Sequence, residues 1–146
     1  MSPNQIFSIA NGVAVCGWLL LIVLPRKKWA TQVVAGVAIP AVFAGLYSIV
    51  IAINFAGSDG GFSSLPDVER LFSNRWLLLA GWLHYLAFDL LVGSWEARDA
   101  RERGIHHLLV VPCLIMTFLF GPAGWLLYLA LRARTGSQLR KQPDAA

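Results

Sequence analysis

Charge is what this chain has least of. Only 14% of its residues are Asp, Glu, Lys or Arg, while 57% are hydrophobic. Soluble domains carry about 25% charged residues, so 146 residues of this composition are not an ordinary water-soluble fold. The length suits one compact unit. Cysteine is nearly absent too: Cys16 and Cys113 are the whole set, and both sit in apolar runs. That excludes a disulfide framework and leaves them as small packing residues. Phosphate loop, dinucleotide fingerprint, nucleophile elbow and zinc spacing are all missing. The excess of positive charge, +4, is gathered in connections and the tail. Basic clusters beside apolar spans mark membrane orientation and headgroup contact, not nucleic-acid binding.

What is present is a series of apolar runs. Ile6 to Leu24 is uncharged and long enough to cross, since about 20 residues span the hydrocarbon core. With no basic residue before it and a basic cluster after it, it reads as a retained helix and not a signal peptide. Pro25-Arg26-Lys27-Lys28-Trp29 closes it with a helix breaker, three charges and an interfacial ring. The second run, Thr31 to Ile53, carries Pro40, which predicts a kink. Gly36 and Gly45 offer close-approach faces to a neighbouring helix. The polar connection 54–74 contains apolar residues at Leu65, Val68, Leu71 and Phe72, a helical spacing. With Pro66 suited to a first turn, it predicts a short interfacial helix.

The third run, Arg75 to Val92, is flanked by Trp76 and Trp95. A charge-dense connection follows, in which Arg98/Glu102 and Asp99/Arg103 are four apart and support a helical extension. The last run, Ile105 to Leu131, exceeds one span. It is read as a single long helix kinked at Gly121-Pro122, the other reading being a break at which the chain turns within the membrane. The expected fold is therefore all-α: a polytopic helical bundle of about four transmembrane helices. One domain covers residues 1–131, with spans near 6–24, 31–53, 75–92 and 105–131, and 132–146 is a basic polar tail. Four spans leave the basic residues evenly divided between the two sides. The neutral and basic flanks of the first helix then place the first and third loops in the cytoplasm and both termini outside.

Ionisable residues inside a span are costly and default to functional candidates. At about 100° per residue, Tyr85, Asp89, Val92 and Glu96 share one stripe, with His84, Phe88 and Trp95 on the next. His106 and His107 open the following helix, and the connection could fold them towards Glu96 and Asp99. Three chemistries fit these residues. Acid–base work on a lipophile would use the carboxyls and imidazoles. A metal would find its ligand types in His84, Asp89, Glu96, His106 and His107, though in no tight spacing. Or the polar groups hold helices together, Asp89 through Tyr or Trp donors and Glu96 and Asp99 through arginines. No cofactor is assigned.

The sequence from Gly61 to about Arg132 resembles the abscisic-acid-deficient-four-type family of membrane proteins. The resemblance is carried, in order, by AGWLHYLAFDLLVGSWEARDA, GIHHLLVVPCL and FLFGPAGWLLY. The first two spans match in character only. Plant members are tied to neoxanthin formation from violaxanthin. This chain, without a plastid transit peptide, resembles the bacterial members and would reside in a bacterial inner membrane. The resemblance implies a carotenoid-like or other isoprenoid ligand and either a cofactor-independent isomerisation that opens an epoxide and forms an allene or a non-catalytic membrane component that binds pigment or lipid or scaffolds a partner complex. Such a reaction needs an acid at the epoxide oxygen and a base for a carbon-bound proton. Asp89, Glu96 or Asp99 would be the acid and His84 or His107 the base, with Trp82, Tyr85, Phe88 and Trp95 lining the pocket. Membrane lipid is the expected surroundings, and the chain is compatible with a homo-oligomer.

Overall fold

A computed structural model describes residues 1–139. These form six helices and no strand. The first, α1, spans Pro3–Val23. It opens on a reciprocal cap in which the Ser2 hydroxyl accepts from the Gln5 N–H and the Gln5 side chain accepts from the Ser2 N–H. That satisfies two of the N–H groups every helix leaves over at its start.

The second helix, α2, is continuous from Trp29 to Asn54 but changes winding along the way. Trp29–Ala38 is π-helical, and Ile39–Asn54 is α-helical. The expected kink at Pro40 is thus replaced by a wider coil ahead of it. Proline has no N–H for the carbonyl four residues back, and its ring clashes there. The preceding backbone pairs five residues back instead, as in Ile39 N–H to Val34 O. The Thr31 carbonyl, on this wide stretch, accepts a buried 2.7 Å hydrogen bond from Ser94 on the fourth helix. Gly36 is what permits that approach, since a Cβ there would lie 2.5 Å from Ser94 Oγ.

The expected interfacial helix is α3, Leu65–Ser73, capped by Ser64. Asp67 in its first turn accepts from the Ser64 hydroxyl and pairs with Arg70, and these partners hold its carboxyl below the usual carboxylate range. The longest helix, α4, runs Arg75–Glu102 and includes the charge-dense stretch read as a connection. Its 28 residues reach about 42 Å at 1.5 Å per residue. Every other helix touches α4.

Lipid is as apolar as a leucine side chain, so helices in a bilayer are held by close packing and hydrogen bonds. The α1–α4 contact shows this. Leu90 closes on Gly17, and the Trp18 ring lies on Gly93, where a Cβ would meet it at 2.5 Å. Ile9, Leu19, Val33, Val42 and Ile49 point outward, as a lipid-facing surface requires. Three helices, α1, α2 and α4, are long and apolar enough to cross a membrane.

The fourth apolar run differs from the single kinked helix. It is two helices, α5 (His107–Phe120) and α6 (Pro122–Leu139), separated by Gly121 at φ +47°. A side chain is strained at that φ, and Pro122 cannot continue the preceding helix but suits the first turn of a new one. The chain then reverses. Gly124 packs on the backbone of Met116 and Thr117, and Tyr128 and Arg132 reach Asp99 at the far end of α4. With 14 residues, α5 rises only about 21 Å, short of the roughly 30 Å core.

The reversal changes the topology. The end of α6 lies on the side of the first and third connections, not beside the N-terminus. Residues 132–139, read as tail, continue α6, and 140–146 lie outside the described residues. Among the described residues, Arg26, Lys27, Lys28, Arg98, Arg101, Arg103, Arg132 and Arg134 now share one end, against Arg70 and Arg75 at the other. The tie is broken: basic residues accumulate at one end, the end that the excess of Lys and Arg assigns to the cytoplasm. Single cysteines at Glu102 and Ala133, in a Cys16→Ser/Cys113→Ser background, are expected to react with an impermeant thiol reagent from the cytoplasmic side only. One at Asp59 should react only from the opposite side. Labelling of Ala133→Cys together with Asp59→Cys would overturn the reversal.

Candidate functional site

The polar residues of α4 form a seam, and the α5–α6 hairpin closes over it. Three rungs are distinguishable. At the innermost, Tyr85 donates its hydroxyl to the Phe118 carbonyl at 3.1 Å. That carbonyl belongs to the last turn of α5, where backbone acceptors lack helical partners. Asp89, one turn along, faces the break itself: a Cβ on Gly121 would come 3.1 Å from Asp89 Oδ1. Asp89 Oδ2 is buried with no hydrogen-bond partner among the described residues.

Two turns further on, Glu96 is completely buried. Thr117 on α5 donates to its Oε1 at 2.9 Å, while Oε2 has no partner. Among the described residues no arginine bonds to Glu96, in contrast to the pairing expected for it. At the outer rung, Asp99 is saturated. It accepts from the Tyr128 hydroxyl at 2.6 Å, from Arg103 Nε at 2.9 Å and from Arg132 at 2.9 and 3.3 Å. Of the two pairs the four-residue spacing offered, Asp99/Arg103 forms, and among the described residues Arg98 and Glu102 make no salt bridge. Trp95 packs edge-on to Tyr128 and lies under the Arg132 guanidinium, 5.8 Å from the ring centroid. The seam thus passes from two carboxyls with spare oxygens to one that is fully engaged.

The histidines stand elsewhere. His84 is exposed on the opposite face of α4, against Tyr47 and Phe88. With Tyr47, Phe62, Leu71 and Phe72 it lines a cavity of about 230 Å³ under α3. His107 turns towards α1 and donates from Nε2 to the Ile22 carbonyl at 2.8 Å, so the connection does not fold it onto Glu96 or Asp99. His106 is exposed at the start of α5. His84, Asp89, His106 and His107 therefore do not converge. Among the described residues no three His, Cys, Asp or Glu side chains are placed to share a metal ion.

The aromatic candidates divide in the same way. Trp82 stacks with Tyr85 and with Phe7 of α1, and its indole N–H donates to Asn11 at 2.8 Å. Trp82 and Phe7 wall an open groove of about 310 Å³ between the N-terminal ends of α1 and α4, with Pro3, Asn4, Arg75, Leu78 and Leu79. It stops at Trp82, whose ring packs on Tyr85, and Asp89 lies two turns further along α4. Phe88 faces the His84 side, and Trp95 belongs to the Asp99 rung.

Sequence reasoning placed Tyr85, Asp89 and Glu96 on one stripe. It missed Thr117, Gly121, Tyr128 and Arg132. The signal that could have found them is the pair Gly121-Pro122: a reversal there brings α6 back along α4.

A family model described as ABA DEFICIENT 4-like matches residues 5–128. The match includes the first two helices, where the motif resemblance was one of character only. No curated protein matches this chain. No solved structure matches it either.

Proposed function

Because the chain belongs to the ABA DEFICIENT 4-like family, we propose that this multi-pass membrane protein binds a carotenoid-like lipophile in the α1–α4 groove and isomerises it without a cofactor. The observation that carries this reading is the pair of buried carboxyl oxygens, Asp89 Oδ2 and Glu96 Oε2, that have no hydrogen-bond partner among the described residues; the aromatic groove lies two turns before Asp89 on the same helix. An unpaired polar atom in a bilayer costs several kcal/mol, roughly what a lost hydrogen bond costs in hydrocarbon, and such residues default to function.

Phe7, Trp82 and Tyr85 supply flat surfaces for a rigid polyene. Asp89 lies two turns beyond Trp82, facing the α5–α6 break, and a long polyene extending from the groove past Tyr85 would reach it. In its protonated form it gives a proton to an epoxide oxygen, and the C–O bond breaks. Its other oxygen takes the carbon-bound proton, and the electrons of that C–H bond complete the allene. Protons and electrons balance, and the carboxyl returns to its starting form. Glu96, buried two turns further along α4 and bonded to Thr117, takes no part in this proton count. The exposed His84 and the α1-bound His107 are not needed. A bacterial inner membrane and an isoprenoid other than violaxanthin both fit this reading.

The test is expression in cells that accumulate an epoxy-carotenoid, with pigment profiles and detergent-purified protein compared. Conversion by the wild type should fall about 100-fold or more in Asp89→Asn, the usual range for losing a general acid–base group, with the melting temperature retained. Bound pigment that is never converted would overturn the catalytic step and leave a binding protein. Neither pigment nor conversion would overturn both.

A further inference from the structure

We infer that the cavity between the Pro25–Arg26 turn and the Gly104–His107 connection is a binding site for the phosphate headgroup of an anionic phospholipid. This site is separate from the Asp89 seam and does not depend on the isomerase reading. The cavity holds about 280 Å³ and is lined by Arg26, Arg101, His106 and His107, with Ala97, Ala100 and Ile105 as its apolar floor. Among the described residues no carboxylate lines it.

Two of its polar side chains are already oriented by the end of α1. Arg101 Nη1 donates to the Pro25 carbonyl at 3.3 Å, and His107 Nε2 donates to the Ile22 carbonyl at 2.8 Å. A guanidinium has five N–H donors, so this anchor leaves most of them free while fixing the plane of the group. Arg26 and His106 are exposed beside it. Charge complementarity therefore selects an anion, and basic pockets between transmembrane helices on the cytoplasmic side characteristically hold acidic headgroups.

The surroundings select a lipid over a free ion. The cavity lies where α1 and α4 end, at headgroup level. Val23 and Leu108, two residues before Pro25 and one after His107, are 67% and 71% exposed and offer apolar surface to acyl chains. An apolar floor adds nothing for inorganic phosphate but accommodates a glycerol backbone. His106 also gives α5 no side-chain cap, so first-turn N–H groups remain as minor additional donors.

The test uses the whole protein in nanodiscs of phosphatidylcholine, with and without phosphatidylglycerol, and reads the affinity for phosphatidylglycerol by native mass spectrometry and melting temperature. Wild type should prefer phosphatidylglycerol and melt higher with it. Arg26→Gln/Arg101→Gln should weaken that affinity about 30-fold, from about 1 kcal/mol per basic residue. Should that variant fold poorly, Arg26→Gln/His106→Gln removes two exposed side chains and should weaken affinity in the same direction. Lys27→Gln/Lys28→Gln carries the same charge change off the cavity and should leave affinity nearly unchanged. Equal loss in the Lys27/Lys28 variant would reduce the effect to diffuse surface charge and overturn the site. So would stabilisation by inorganic phosphate in detergent equal to that by phosphatidylglycerol, or no preference for the anionic lipid at all.

Discussion

Gly124→Ala is expected to be the most damaging small substitution in the chain, unfolding the α5–α6 hairpin at a cost of about 4 kcal/mol or more. The added Cβ would sit 2.0 Å from Thr117 N and 2.4 Å from Met116 C and Thr117 Cα. These are backbone atoms of a helix, so no rotamer change relieves the clash. The helices must part instead, and Thr117 is then drawn off Glu96, and Tyr128 and Arg132 off Asp99. Gly121→Ala should cost less, about 1–3 kcal/mol, because it strains one residue at positive φ and crowds Asp89. Gly12→Ala and Gly45→Ala meet nothing within 4 Å and should be neutral or slightly stabilising. Thermal unfolding in detergent ranks the four. A Gly124→Ala protein that melts like the wild type would mean that α6 does not pack back on α5.

Asp99→Ala is expected to cost about 2 kcal/mol, below what breaking a fully buried ion pair removes, because the Arg103 and Arg132 side chains keep 41% and 34% exposure and are screened by solvent. Asp99 joins α4 to the end of α6, and its loss strands a fully buried tyrosine hydroxyl and two guanidinium groups at once. The cost of the unpaired hydroxyl is separable. In Asp99→Ala/Tyr128→Phe that group is gone, so the double variant should be less destabilised than the two single changes added together. Glu102→Ala, one turn on and exposed, should change stability little. Strict additivity of Asp99→Ala and Tyr128→Phe would show that the 2.6 Å hydrogen bond contributes nothing. Asp99→Ala is also the counterpart to Asp89→Asn. Asp99 acts on the fold through three saturating partners, whereas Asp89 has an oxygen to spare for a ligand.

The α4 stripe was legible because a helix repeats every 3.6 residues, and that arithmetic needs no partner. It put Tyr85, Asp89 and Glu96 on one face and His84 on another, and the helices that cover each face keep them apart. The amphipathic α3 was legible for the same reason. The winding of α2 was less so. Pro40 announces a disturbance, but whether a helix kinks or widens depends on what lies opposite, here Ser94.

By itself the sequence determined the all-helical membrane character, the three long spans, and which α4 residues could share a seam. Local composition and periodicity carry that information, because about 20 apolar residues must become a helix wherever lipid surrounds them. Only the tertiary structure decided that the last apolar run folds back on itself. Gly121-Pro122 permits a kink or a reversal, and the choice rests on contacts between residues distant in sequence: Gly124 on Thr117, Tyr128 and Arg132 on Asp99. Those contacts set the side on which α6 ends, supply the partners of Asp99 and Glu96, and leave Asp89 facing the break.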